Sequence, residues 1–130
     1  NPELKSFDLG QNLGPQIFNS ILDKVNRFSP MIKRYWILGG DPIDQPIAEL
    51  SDFLSWLREN TPEKEIVLFT RYSLENIPDS IKKHCDFIKT GEYIEELSVP
   101  KEKHEENRQE NYGILLATSN QKVNKKGVDF

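Results

Sequence analysis

The residues best suited to chemistry form a short turn directly after an apolar run. The turn consists of Gly39, Gly40, Asp41 and Pro42. Glycine can adopt positive φ and lets a ligand come close to the backbone, and a neighbouring carboxylate can accept hydrogen bonds from a ligand's ammonium group. The motif therefore predicts a binding loop. A tight turn between strand and helix, capped by Asp41 or Asp44, explains the same residues, and so short a motif does not decide between the two.

Two further predicted strands end in polar tips. Residues 66–69 are followed by Thr70, and residues 85–89 are followed by Thr90. Ligands of open α/β sheets bind at the carboxyl ends of the strands. We therefore expect Gly39, Thr70 and Thr90 to lie near one edge of the sheet.

The metal-binding side chains are few. Cys85 is the single cysteine, which excludes an intrachain disulfide framework and fits a reducing cytoplasm. One thiolate cannot hold an iron–sulfur cluster, and the place of Cys85 between a helix and a strand predicts a buried apolar side chain. His84 and His104 lie far apart in the sequence, so no zinc site is predicted.

The apolar pattern predicts helices that alternate with strands. The predicted helices cover 15–28, 47–59 and 77–84, and the predicted strands cover 35–38, 66–69, 85–89 and 113–117. The strands are almost continuously apolar, as expected when both faces of a sheet are covered. The pattern predicts an α/β fold whose mostly parallel sheet is flanked by helices. The charged residues 95–110 predict a loop.

Length and charge narrow the class of protein. The chain has 130 residues, of which 36% are hydrophobic and 29% charged, and this suits one globular domain. A net charge of −4 argues against a nucleic-acid partner, which usually selects a basic face. The apolar runs are shorter than the ~20 residues that a membrane helix needs, so no membrane partner is expected and the predicted location is cytoplasmic.

Four segments, in this order, resemble segments of the radical-SAM activating enzymes, the family that contains the activators of anaerobic ribonucleoside-triphosphate reductase. Residues 35–42 (YWILGGDP) resemble the second strand and its Gly-Gly-Asp/Glu-Pro motif. Residues 66–72 (IVLFTRY) are similar to a strand that ends in Trp-Thr-Gly-Tyr, with Arg71 in place of the glycine. Residues 86–93 (DFIKTGEY) resemble Asp-x-Ile-x-Asp-Gly-x-Tyr, and residues 117–123 (ATSNQKV) resemble Gly-Ser-x-Asn-Gln-Arg.

The resemblance implies a cofactor and a set of residues that hold it. Gly39, Gly40 and Asp41 would bind the methionine end of S-adenosylmethionine (SAM), and Thr70 and Asn120 would join the pocket by their position. The family holds a 4Fe-4S cluster with a Cys-x-x-x-Cys-x-x-Cys run that this chain lacks. The chain begins at residue 1 as though just past that run. We therefore expect one incomplete radical-SAM domain over residues 1–130, with a partial (β/α) barrel-like fold.

The resemblance also implies a reaction and a partner. In the family the cluster donates an electron to SAM, and the resulting 5′-deoxyadenosyl radical removes hydrogen from a glycine of the partner. That partner would be a glycyl-radical enzyme, the large subunit of anaerobic ribonucleotide reductase. Two alternatives stay open. The chain could be a module without a cluster that binds a partner or SAM and performs no chemistry, or it could activate another glycyl-radical enzyme such as pyruvate formate-lyase.

Overall fold

The computed structural model describes Ser20, Asp23, Arg27 and residues 32–38 and 40–130. Ser20, Asp23 and Arg27 are helical, in agreement with the helix predicted over 15–28, whose bounds lie outside the described residues. Gly39, one of the predicted site residues, also lies outside them.

The described residues form one four-stranded sheet. Its strands are β1 (Arg34–Ile37), β2 (Glu65–Phe69), β3 (Phe87–Thr90) and β4 (Lys122–Lys125), and they are adjacent in that order. β1 pairs with β2 and β2 with β3 in parallel, whereas β4 runs antiparallel to β3. The α/β class with a mostly parallel sheet is therefore confirmed. The barrel-like form and the single-domain organisation stay predictions.

Three helices accompany the sheet within residues 40–130. They are α1 (Ile47–Asn60), α2 (Asp79–Lys82) and α3 (His104–Glu110). The helix predicted over 47–59 is confirmed as α1, and it turns four apolar side chains into the core: Leu50, Phe53, Leu54 and Leu57. α1 ends at Asn60, and the next residue, Thr61, caps it with a 2.7 Å hydrogen bond from its hydroxyl to the Leu57 carbonyl. No helix of this part of the protein combines the length and apolar character needed to cross a membrane.

The strand predicted over 113–117 is wrong. This segment forms no ladder, yet Ile114 and Leu116 are buried and pack against the sheet. Its backbone is bonded elsewhere, as the Leu116 amide donates to Asn107 Oδ1 at 2.8 Å. The last strand is β4, which lies in the polar tail, and its Asn124 is buried and donates to the Ile88 carbonyl at 3.0 Å. Because β4 buries the hydrogen-bonded amide of Asn124, the apolar pattern of the sequence gave no sign of this strand.

Residues 95–110 contain more regular structure than the predicted loop. Two single 3₁₀ turns, Glu95–Leu97 and Lys101–Lys103, lead into α3. The His104 ring lies 3.0 Å from the Val99 carbonyl oxygen. α3 buries none of its residues, so the apolar periodicity that predicts a helix is missing, although the backbone is helical.

The two faces of the sheet are covered unequally. Tyr35, Ile66 and Ile88 belong to the face that packs against α1 and α2 in the larger core. On the opposite face a smaller core gathers over β3 and β4 beneath residues 112–116. At its β1 side this second face ends in Trp36 and Leu38, which are 43% and 40% exposed.

Candidate functional site

Asp41 joins the ends of β1 and β2. Its carboxylate accepts hydrogen bonds from the Ile43 amide at 3.0 Å, the Thr70 hydroxyl at 2.8 Å and the Arg71 amide at 2.9 Å. The Arg71 guanidinium is a fourth donor, at 3.3 Å. Since a carboxylate offers about four lone-pair sites, protein donors fill this one, and its side chain is only 6% exposed. Asp41 therefore caps the turn that follows and fixes two strand tips.

Arg71 extends this arrangement to the surface. Its guanidinium pairs with Asp44 at 2.8 Å and stacks over the Tyr72 ring at 4.5 Å. The Tyr72 hydroxyl donates to Asp44. Hydrogen bonds from Tyr72 and then from Arg71 lower the pKa of the Asp44 carboxyl, and the bond to Asp44 raises the pKa of Tyr72. The side chain that stands where the family resemblance has a glycine thus occupies the space in front of Asp41.

Gly40 leaves open space at this tip. A Cβ built on Gly40 would meet no atom within 4 Å. Positive φ, which the motif led us to expect, occurs in Gly91, Gly113 and Gly127 but not in Gly40. Gly40 therefore leaves room beside the backbone but does not adopt a left-handed conformation.

The predicted edge of the sheet is confirmed for Thr70 and Thr90. The Thr70 amide donates to the Lys89 carbonyl at 2.9 Å, which places the tip of β2 beside the end of β3. The Thr70 hydroxyl bonds to Asp41, so Asp41, Thr70 and Thr90 lie at the same edge of the sheet.

Asn120 takes part in a separate network. Its amide donates to the Glu92 carbonyl at 2.9 Å, and its Oδ1 accepts from the Thr118 hydroxyl. Gln121 closes the same loop by donating to the Gly91 carbonyl at 3.1 Å. Among the described residues no hydrogen bond joins Asn120 to Asp41 or Thr70, so its side chain secures the turn after β3.

Lys89 is a polar residue of this edge that the sequence reasoning missed. It lies in β3, is 9% exposed, and places its ammonium 4.9 Å from the centre of the Phe69 ring. In the described part of the chain no hydrogen bond or ion pair engages this ammonium. Burial lowers the pKa of Lys89. The signal was a lysine inside an otherwise apolar strand, where a charge is seldom buried without a partner.

The described residues do not fit a 4Fe-4S cluster. Cys85 is the only cysteine of the sequence, and it is fully buried in the larger core. Burial raises the pKa of its thiol to about 12, whereas cluster ligands are thiolates. Within residues 32–38 and 40–130 no group of three or more His, Cys, Asp or Glu side chains could hold a metal ion.

Comparisons with known proteins identify relatives of the chain. The family described as 4Fe-4S single cluster domain matches residues 1–114. The anaerobic ribonucleoside-triphosphate reductase-activating protein of Enterobacteria phage T4 is 37% identical over 67 residues, which are 50% of this chain and 43% of that protein. The match thus spans less than half of that relative's length. No solved structure matches. The resemblance found in the sequence is confirmed at the level of the family.

Proposed function

Because the chain belongs to the 4Fe-4S single cluster domain family, we propose that it is part of a radical-SAM activating enzyme acting on anaerobic ribonucleotide reductase. The name of the phage relative supports the reductase as partner. The observation that carries the proposal is the edge of the sheet where Asp41 and Thr70 meet beside the open space at Gly40. SAM would bind at this edge, with its methionine end near Gly39 and Gly40.

The residues of the chain would bind and orient SAM. When a cluster is present, it supplies the electron that splits SAM. Since Cys85 is buried and alone, we derive no electron transfer from these 130 residues. The saturated carboxylate of Asp41 holds the two strand tips in place. Its longest contact, the 3.3 Å one to the Arg71 guanidinium, is the one that a SAM ammonium group would replace.

Calorimetric titration of SAM into the chain tests this proposal. If Asp41 contacts SAM, Asp41→Ala should weaken binding about ten- to a hundredfold. Asp44→Ala is the control, because Asp44 shares the turn and the contact with Arg71 but does not bond to Thr70. If Asp41 only holds the turn and the strand tips, Asp41→Ala should instead lower the free energy of unfolding by about 2–3 kcal/mol, because several donors lose their acceptor, and it should leave the affinity for SAM unchanged.

Arg71→Gly sharpens the same test. Removing the guanidinium frees one oxygen of Asp41 and restores the residue type usual in the resembling family. We expect SAM to bind about three- to tenfold more tightly than to the wild type, since one charge-assisted contact becomes available. An affinity that falls on this substitution would mean that Arg71 itself binds the ligand, and it would contradict the replacement of the Arg71 contact by SAM.

The second candidate function is a module without radical chemistry that binds SAM or the reductase. The buried position of the single cysteine favours it. Anaerobic reconstitution with iron and sulfide distinguishes the two functions. The module should bind no cluster and should leave SAM intact in the presence of dithionite, whereas stoichiometric iron and SAM cleavage by this chain would contradict it.

A further inference from the structure

The open part of the second sheet face combines two aromatic rings with one buried cation. The rings of Trp36 and Phe69 lie 5.4 Å apart between centres. The ammonium of Lys89 approaches the Phe69 ring from β3, the neighbouring strand. Trp36 remains 43% exposed, so a ligand can reach the rings from solvent.

Among the described residues, no acceptor lies within hydrogen-bond distance of the Lys89 ammonium. An ammonium carries three N–H donors, and the Phe69 ring attracts the charge without accepting a conventional hydrogen bond from each of them. Glu65, an acidic side chain on the same face, is paired with Arg34 at 2.7 Å. Within the described residues no side-chain nitrogen or oxygen is both fully buried and without a partner, so the ammonium, which has none, keeps some access to solvent.

We propose that Lys89, Trp36 and Phe69 form a binding site for the carboxylate of a small molecule with a flat or apolar group. The carboxylate would accept hydrogen bonds from Lys89 Nζ, and the apolar group would lie against the exposed ring of Trp36. A buried ammonium gains most from an anion because charge-assisted hydrogen bonds are about twice as strong as neutral ones. Burial lowers the pKa of this ammonium, and an anion beside it would offset that effect.

The edge of the sheet connects this site to the proposed function. The Lys89 carbonyl accepts from the Thr70 amide, and Thr70 bonds to Asp41. If SAM binds at that edge, the carboxylate of its methionine end is one source of the anion, and a free carboxylic acid is the other. Only the identification of SAM as the source rests on the proposed function.

The first experiment compares benzoate with benzamide, which share a ring and differ in charge. Each is titrated into the complete chain while backbone amide chemical shifts are recorded. Benzoate should bind at least about tenfold more tightly than benzamide, with the largest shifts at residues 36, 69 and 89. Lys89→Met should remove this difference, and Lys89→Arg should keep most of it.

Lys125→Met is the matched control. Its ammonium also lies over an aromatic ring, 5.2 Å from the centre of Tyr112, but away from Trp36. This variant should prefer benzoate as the wild type does. Equal binding of benzoate and benzamide by the wild type, a comparison that needs no variant to fold, would overturn the proposal. So would an unchanged preference in folded Lys89→Met.

The second experiment identifies the source of the carboxylate. SAM and decarboxylated SAM are titrated into the wild type and Lys89→Met. A preference for SAM that the substitution removes would assign its carboxylate to Lys89. Preference for benzoate without binding of SAM would keep the carboxylate site and contradict the SAM proposal for this chain. SAM that binds equally well with and without its carboxylate would overturn the assignment to Lys89.

Discussion

The two faces of the sheet are built from the same four strands but differ in what covers them. On the face toward α1 and α2, Leu54, Ile81 and Ile88 have no exposed surface. On the other face, Trp36 and Leu38 remain about two-fifths exposed, and Lys89 is buried with no ion partner among residues 32–38 and 40–130. Packing on the first face stabilises the fold, whereas the second face keeps open surface and an unpaired charge, the features that bind ligands.

The largest expected difference between the faces is in the free energy of unfolding. Leu54→Ala should lower it by about 3–5 kcal/mol, because the fully buried side chain leaves a cavity. Trp36→Ala should cost only about 1–2 kcal/mol, since Trp36 is 43% exposed and loses one ring contact. Urea denaturation measures both values. Equal costs would mean that the second face is packed as tightly as the first.

Burial in the covered face should also protect the Cys85 thiol from chemical reaction. Burial raises the pKa of Cys85 from 9.0 to about 12, so at pH 8 its thiolate fraction is about a thousandfold below that of an ordinary thiol. Because the folded pKa is the raised one, stability is retained below pH 9 and is lost as the pH rises from 9 towards 12.

A thiol reagent that absorbs visible light on reaction measures this protection. Native protein at pH 8 should react only at the rate of its opening, and protein in urea should react at once. Rapid stoichiometric labelling of the native state would show that solvent reaches this face.

An ion pair closes the covered face at the end of α1. Arg58 donates to the His84 carbonyl at 2.9 Å and pairs with Asp86, which also accepts from the Ile66 amide at 2.8 Å. Asp86→Ala should therefore cost about 2–3 kcal/mol of unfolding free energy, because charged hydrogen bonds are lost and their donors are left unpaired.

Asp79→Ala is the control for this ion pair. The Asp79 side chain is 99% exposed, and within the part of the chain that the structure describes its one ion pair is with Lys82 in the same helix. Its removal should cost less than about 0.5 kcal/mol in the same urea assay. If Asp86→Ala lowers the unfolding free energy as little as Asp79→Ala does, the Arg58–Asp86 pair stabilises the fold no more than an exposed ion pair does.

The covered face could be predicted from the sequence because its signal is periodic hydrophobicity. The stripe of α1 and the apolar runs of β1 to β3 are dictated by the side chains that must be buried. β4 could not be found in this way, because hydrogen bonds to Ile88 and Thr90 satisfy its buried Asn124. Composition alone does not show such pairing.

The position of the candidate site could be predicted from the sequence, but the hydrogen-bond partners of Asp41 could not. The glycines and Asp41 mark a strand end in the sequence, and Thr70 marks the next one. Whether Asp41 is free to bind depends on its partners at Thr70 and Arg71, which lie on another strand tip. These partners follow from the tertiary fold, and so a local motif cannot distinguish a ligand-binding carboxylate from one that fastens two loops.

The smallest expected difference in unfolding free energy is between the glycines that follow β1 and β3, Gly40 and Gly91. Gly91 has a φ of +108°, and a Cβ there would lie 3.1 Å from the Gln121 Cα. Gly91→Ala should lower the free energy of unfolding by about 1–2 kcal/mol, because alanine is strained at this φ and the loop around Gln121 must shift. Gly40→Ala should change stability by less than about 0.5 kcal/mol, since it meets no neighbour and needs no positive φ. Urea denaturation of the two variants measures the difference. If Gly40→Ala is as costly as Gly91→Ala, the space at the first tip is needed for folding, and the argument that it is kept open for a ligand fails.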